Sequence, residues 1–198
     1  NRDYINNAFN RNGFCTWSHC QGGSSIWVTI QVLEFADLWD EFGAPLDEKN
    51  LTQASKWLKK QIMTPCDKQS NTWKYCYSQQ TRQNGAYVLA MRGQLDVGDL
   101  KFLSEYTASM EAKIWWLKTA RILGENNQSL PPKVNELMDQ YWEDLDNNLK
   151  ARDRYIFWEE PSSFRTYYSQ SERVSALIFQ ESLQAGRLES QQHKMARY

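Results

Sequence analysis

An all-α fold of stacked helical hairpins is the architecture this chain predicts, and three observations predict it. Amphipathic stretches of helical period recur along its 198 residues, separated by Gly or Pro stops. Aromatic residues are plentiful at 14%, with nine Trp, while Gly and Pro are sparse, which favours large helical cores over a turn-rich β protein. Between Asn12 and Leu58 lies one complete hairpin: a Gly-aromatic turn, a Ser-started apolar helix, a Gly-Ala-Pro break and a second helix.

Ser24 or Ser25 caps a first helix running to about Phe42, with Ile26, Ile30, Leu33 and Asp37 or Trp39 at helical spacing. Gly43-Ala44-Pro45 stops it, Gly as the C-terminal cap and Pro as the bar to continuation. Asp47 caps the second helix, where Leu51, Ala54, Leu58 and Ile62 form one stripe, and Thr64-Pro65 ends it. From Cys66 to Ser78 the chain is a polar and aromatic loop, long for a compact domain. A third helix, about Gln80 to Arg92, carries Ala86, Leu89 and Ala90 and stops at Gly93. Asp96 or Asp99 opens a short fourth helix through Leu100, Leu103 and Tyr106.

The fifth helix, about Glu111 to Leu123, holds Ile114, Trp115, Leu117 and Ile122 and ends on Gly124. After a connector from Asn126 to Leu130, Pro131-Pro132 starts a sixth, with Val134, Leu137, Met138, Tyr141, Trp142 and Leu145. Tyr155 to Tyr168 is an irregular aromatic stretch, with a short hairpin expected around Glu160-Pro161. Ser169-Gln170-Ser171-Glu172 is a capping-box pattern that opens the seventh helix, where Val174, Leu177, Ile178 and Leu183 lead to Gly186. Residues 188–198 begin an eighth. Pairs joined this way stack into a solenoid or close into an α/α toroid. Eight helices fall short of a closed ring, so the ring is incomplete or further hairpins lie outside the chain.

The length implies a single domain, 1–198. A net charge of -1 makes no electrostatic case for nucleic acid or an anionic membrane as partner. No apolar run reaches the ~18 residues of a membrane span. The opening Asn-Arg-Asp-Tyr, without initiator Met or leader, is expected of a fragment of a larger multidomain protein.

Cys15 with Cys20, and Cys66 with Cys76, fall as local pairs in predicted loops, at spacings that match neither zinc sites nor Cys-x-x-Cys redox motifs. Two short-loop disulfides are one reading, each contributing about 2–3 kcal/mol and placing the protein in an oxidising compartment. Four free thiols in a cytosolic helical protein are the other. His19, between Trp17 and Cys20, is a candidate base or a plain loop histidine, and His193 lies on the polar last helix. No residue cluster has metal spacing, and Gly22-Gly23 is only a pair, short of a phosphate loop. No catalytic, cofactor-binding or metal-ligating residue is therefore assigned.

Asn12-Gly13-Phe14, Trp17 and Ser25-Ile26-Trp27-Val28-Thr29, followed by Leu51, Ala54 and Trp57-Leu58, resemble the thioester-domain region of the alpha-2-macroglobulin family. Ala86-Tyr87-Val88-Leu89-Ala90-Met91-Arg92-Gly93 and then Gly98-Asp99-Leu100 look like its bacterial members. Tyr168-Ser169 and Glu172 to Leu177 are similar to the family's last hairpins. The match spans most of the chain, and it is the shared order of weak motifs that makes it specific. The resemblance implies an α/α toroid within a large bacterial endopeptidase inhibitor that is secreted, periplasmic or lipoprotein-anchored. This region would then be a scaffold for protease trapping and not an enzyme, with no cofactor. Its partners would be the target protease and neighbouring macroglobulin domains of the same chain.

The family's reactive element is a Cys with a Gln three residues on, usually Cys-x-Glu-Gln, whose acyl group is attacked by amines or hydroxyls. Here Cys76-Tyr77-Ser78-Gln79 has that spacing, with Ser in place of Glu. It follows the Ser25–Thr29 helix, whereas the family's element precedes it, so it reads as a loop. The histidine that assists the ester-forming complement branch has no counterpart in Tyr75 to Gln79, which implies amine targets for any thioester of the parent.

Two other classes compete. Several α/α toroids cleave glycans, and Tyr141-Trp142-Glu143-Asp144, Asp153, Trp158-Glu159-Glu160 and Tyr167-Tyr168 offer stacking platforms and a carboxylate pair. The plainer reading puts Tyr141 and Trp142 in the core and Glu143, Asp144 and Asp146 on a solvated face. A helical-repeat interaction module is the other class, with Trp39, Trp73 and Trp158 as docking aromatics.

Overall fold

The computed structural model describes residues 2–16, 23–65, 77–126, 129–152, 155–158 and 171–195. Two compact units divide the chain, Asn1–Leu95 and Asp96–Tyr198, and each has its own core. Both are predominantly helical, as the periodicity predicts.

The first unit begins with α1 (Arg2–Asn7) and a minimal hairpin, β1 (Phe9–Asn10) with β2 (Gly13–Phe14), in which Phe9 opposes Phe14. Three longer helices follow: α2 (Ile26–Glu41), α3 (Glu48–Met63) and α4 (Gln79–Met91), packed against one another. Ser25 caps α2 by accepting from Val28 N, and Asp47 caps α3 by accepting from Lys49 N at 2.9 Å and Asn50 N at 3.3 Å. Gly43 and Gly93 take φ of 69° and 64° just past α2 and α4, the left-handed conformation that lets the chain fold back on the helix end. In both, the next residue donates to the helix, Ala44 N to Trp39 O at 2.9 Å and Gln94 N to Leu89 O at 2.8 Å.

Leu51, Ala54, Leu58 and Ile62 are all buried, so the α3 stripe is the core face that its spacing predicts. On α2 the buried face runs Ile26, Ile30, Leu33, Ala36; Asp37 is exposed and Trp39 only half-buried, so Ala36 completes the face expected of those two. Gly85 sits where α4 meets α3, and a Cβ there would lie 3.1 Å from Ile62 Cγ2 and 3.3 Å from Leu58 Cδ1.

The second unit contains α5 (Val97–Ser104), α6 (Met110–Glu125), α7 (Pro132–Asn147), the hairpin β3 (Leu149–Arg152) with β4 (Tyr155–Trp158), α8 (Ser171–Ala185) and α9 (Glu189–Met195). Helix α6 packs against α5, α7 and α8, and Ala112, Ile114, Trp116, Ala120 and Leu123 on it are wholly buried. A helix apolar nearly all round is a central one. Asp96 caps α5 in a full capping box, its carboxylate accepting from Asp99 N while Asp99 accepts from Asp96 N. Two buried indoles fix their neighbours: Trp116 Nε1 donates to Leu100 O at 3.2 Å, and Trp158 Nε1 to Leu145 O at 2.6 Å.

Several boundaries differ from the sequence expectation. Helix α6 runs through Gly124 to Glu125 and is closed by Asn126; Gly124 lies against the Leu130 side chain instead of turning the chain. The hairpin falls at Leu149–Trp158, earlier than Glu160-Pro161, which lies outside the described residues. Ser169 and Gln170 of the capping-box pattern also lie outside them, and α8 starts at Ser171.

Candidate functional site

Gly13-Phe14, Thr29 and Trp57, part of the set that carries the family resemblance, come together in the first unit. Phe14 is fully buried and its backbone pairs with Thr29: Phe14 N donates to Thr29 Oγ1 at 2.9 Å, and Thr29 Oγ1 donates to Phe14 O at 3.4 Å. Ser25 N donates to the same carbonyl at 2.8 Å, while Ser24 Oγ donates to Gly13 O at 3.2 Å. A Cβ on Gly13 would stand 2.8 Å from Trp57 Cε3 and 2.9 Å from Thr29 Oγ1, so the indole lies directly on the glycine backbone. Gly13-Phe14, Thr29 and Trp57 thus form one packed joint between hairpin, α2 and α3. A buried threonine hydroxyl bonded to backbone on both sides clamps the chain where it enters α2.

The start of α4 is an unusual polar core. Gln80, Thr81, Arg82, Gln83 and Asn84 are all buried. Ser78 caps the helix, accepting from Thr81 N at 3.2 Å and sharing a 2.9 Å hydrogen bond with Thr81 Oγ1. Arg82, only 1% exposed, reaches the end of α3: Nη1 donates to Ile62 O, Nη2 to Thr64 O at 2.8 Å, and Nε to Tyr77 O at 3.4 Å. The Ile62 and Thr64 carbonyls lie at the C-terminus of α3, where the macrodipole favours a cation, and Tyr77 O lies just before α4. Burial pushes the Tyr77 hydroxyl upward, partly opposed by the Arg82 charge.

Helix α2 presents a second face outward. Trp27, Phe35, Leu38 and Phe42 are exposed, Phe42 to 78%. Four acids, Glu34, Asp37, Asp40 and Glu41, flank them, and α2 has no Lys or Arg. Asp37 is met by Arg92 at 3.3 Å.

In the second unit the described members of the glycan-cleaving set have different surroundings. Tyr141 and Trp142 lie in the core. Burial raises the Tyr141 hydroxyl above its ordinary range, against the hydrogen bond it shares with Thr107, with Asp144 adding to the rise. Asp144 is bound to Lys113 at 2.7 Å, which leaves Glu143 exposed on the outer face and Asp146 accepting from Gln191 at 2.8 Å. Asp153, Glu159, Glu160, Tyr167 and Tyr168 lie outside the described residues. Trp158, read as a docking aromatic, is instead fully buried, its backbone N donating to Ser175 Oγ at 3.1 Å; Trp73 lies outside the described residues.

Cys15 is buried and disulfide-bonded, its sulfur 2.9 Å from Ala8 O. A disulfide sulfur carries no proton, so this is a contact and not a hydrogen bond. Cys20, Cys66, Cys76 and His19 lie outside the described residues, and His193 falls on α9 with its side chain undescribed. Gln79 opens α4 beside the capping Ser78. Among the described residues no group of His, Cys, Asp or Glu could hold a metal ion, and no helix is long and apolar enough to cross a membrane.

No protein-family model matches this chain, nor does any curated protein sequence. Solved structures do. Native alpha-2-macroglobulin from Escherichia coli, spanning domain MG7 to the C-terminus, superposes over 96% of this chain with a TM-score of 0.63 at 16% identity. The fold is alpha-2-macroglobulin-like. The trypsin-activated Escherichia coli protein matches 98% of the chain with a TM-score of 0.63, and the form activated by porcine elastase 98% with 0.65, both at 16% identity. This chain spans 28% of the first of these macroglobulin chains, 12% of the second and 16% of the third. The Gly13–Thr29–Trp57 joint and the buried start of α4 are therefore features of a chain whose macroglobulin-like fold covers nearly its whole length.

Proposed function

We propose that this chain is part of the thioester-type domain of a bacterial alpha-2-macroglobulin-like protease inhibitor, a scaffold for protease trapping with no catalytic turnover. The observation that carries the reading is the fold shared with Escherichia coli alpha-2-macroglobulin over 94–98% of this chain, at TM-scores of 0.61–0.65. The order of the resembling motifs supports it, since Gly13, Phe14, Thr29 and Trp57 make one joint. In this reading both units belong to one domain, a toroid of helical hairpins. The parent is periplasmic or secreted, lipoprotein-anchored in one form of the reading, with disulfides Cys15–Cys20 and Cys66–Cys76. The partners are the attacking protease and neighbouring macroglobulin domains, and the acid-flanked ridge of α2 is a contact surface.

The test uses the complete parent protein, incubated with trypsin or elastase. A trap leaves the protease active on a small peptide substrate and strongly reduced on a large protein substrate. Equal activity on both overturns the reading. The residues preceding Asn1 then sort the mechanism: a Cys-x-x-Gln there gives methylamine incorporation and a covalent adduct, its absence a non-covalent relative.

A further inference from the structure

Between α5, α6 and the first turn of α7 the second unit holds a cleft of about 290 Å³. Its inner wall is apolar, with Leu100 and Trp116 wholly buried behind Val134 and Leu137. Its rim is cationic: Lys101 and Lys133 line it with exposed side chains, and neither has a carboxylate partner among the described residues. Helix α7 also starts at this rim without a side-chain cap, since Pro131 occupies the cap position. The positive end of a 16-residue helix therefore lies at the same rim as the two lysines. Asp96 and Asp99 are engaged in the capping box of α5, and Glu105 and Glu136, four residues after Lys101 and three after Lys133, do not line the cleft.

We propose that this cleft binds the single acyl chain of an anionic amphiphile, the chain against Val97, Val134 and Leu137 and the carboxylate at the Lys101–Lys133 rim. An apolar wall beneath concentrated positive charge selects for such a ligand and against a cationic or purely polar one. The volume lies at the lower end of the roughly 300–1,000 Å³ of small-molecule sites. It admits one chain of medium length and is far too small for a docked helix or a two-chain lipid. The site is independent of the inhibitor reading, which invokes no small-molecule ligand.

The experiment is calorimetric titration of the 198-residue chain with octanoate, decanoate and dodecanoate below their micellar concentrations. Each added methylene should tighten Kd by roughly fourfold until the cleft is full. Decyltrimethylammonium, of equal chain length, should bind at least about tenfold more weakly. The double substitution Lys101→Gln with Lys133→Gln should weaken decanoate about tenfold and leave decanol unchanged. Leu137→Trp, at a half-buried position with room for a larger side chain, should abolish both; a thermal melt verifies that each variant is folded. Absence of saturable binding overturns the proposal. So does equal affinity for the cationic chain, indifference to the lysine substitutions, or binding to phosphatidylglycerol vesicles without binding to monomeric decanoate.

Discussion

Gly13 and Arg82 are the residues on which the first unit's local geometry turns, and each yields a measurement. A methyl group on Gly13 would meet Trp57 at 2.8 Å and Thr29 at 2.9 Å, so Gly13→Ala should destabilise the chain by about 1–3 kcal/mol through overpacking. Trp57→Leu removes the obstacle, and the double variant should be more stable than the sum of the singles, as urea midpoints would show. Arg82 joins three carbonyls from inside the core. Arg82→Met should cost about 2–4 kcal/mol by orphaning them. Arg82→Lys should recover only part, because a point ammonium cannot reproduce the guanidinium fork. In the second unit, burial holds Tyr141 protonated to a higher pH in the folded chain than in the unfolded one. Its contribution is complete below the ordinary tyrosine value near 10 and is lost as pH rises from there through the folded value. Alkaline denaturation curves of Tyr141→Phe should fall less steeply above about pH 10 than those of the parent chain, after allowing about 1 kcal/mol for the lost Thr107 bond.

Helices α6 and α8 are joined by charge as well as by packing. Arg121 Nε donates to Glu181 Oε1 at 2.6 Å and Nη2 to Glu181 Oε2 at 3.0 Å, with the Glu181 side chain only 1% exposed. The Glu181 and Glu125 carboxylates raise the Arg121 guanidinium above its ordinary range, against a desolvation that lowers it. Removing one member of such a pair leaves the other uncompensated. Glu181→Leu should therefore destabilise by somewhat less than the ~3–5 kcal/mol of a fully broken buried pair, because Arg121 keeps Glu125 at 2.6 Å. Adding Arg121→Met should restore most of the loss, measured by denaturant midpoint. What the sequence displays at this level is whatever is decided locally. The Asp47 and Asp96 caps, the Gly43 and Gly93 stops and the α3 stripe depend on neighbours within a turn or two, and all stand where their residues predict. Gly124 is a stop by composition but sits inside α6, where Leu130 packs on it, because tertiary packing overrides a modest propensity. The α2 ridge was hidden for a related reason. Apolar residues occupy both sides of that helix, and periodicity cannot tell the buried Ile26–Ile30–Leu33 side from the exposed Phe35–Leu38–Phe42 side.

Fold-level likeness without family-level likeness has a physical basis across the chain. A core needs apolar groups of about the right volume at the right positions, and many sequences supply them. At 16% identity this chain shares the fold of a part of Escherichia coli alpha-2-macroglobulin, 28% of the MG7-to-C-terminus chain, while no family model matches it. Large apolar side chains at the surface hold no core together, so their exposure points to a contact. Phe35, Leu38 and Phe42 are 45%, 44% and 78% exposed, on a helix whose charged side chains are all acidic. Such a ridge complements an apolar surface with a basic border. Replacing all three by Ser should change folding stability by no more than about 0.5 kcal/mol per site. On the proposed trapping function, with α2 as the contact surface, the same triple variant of the complete parent protein should lose most of its protection of trypsin against a large inhibitor or substrate. Thermal melts measure the first expectation, and the small-to-large substrate ratio after protease challenge measures the second. A variant that is destabilised by several kcal/mol would assign the ridge to the core of the folded parent; a stable variant with full trapping would remove α2 from the contact surface.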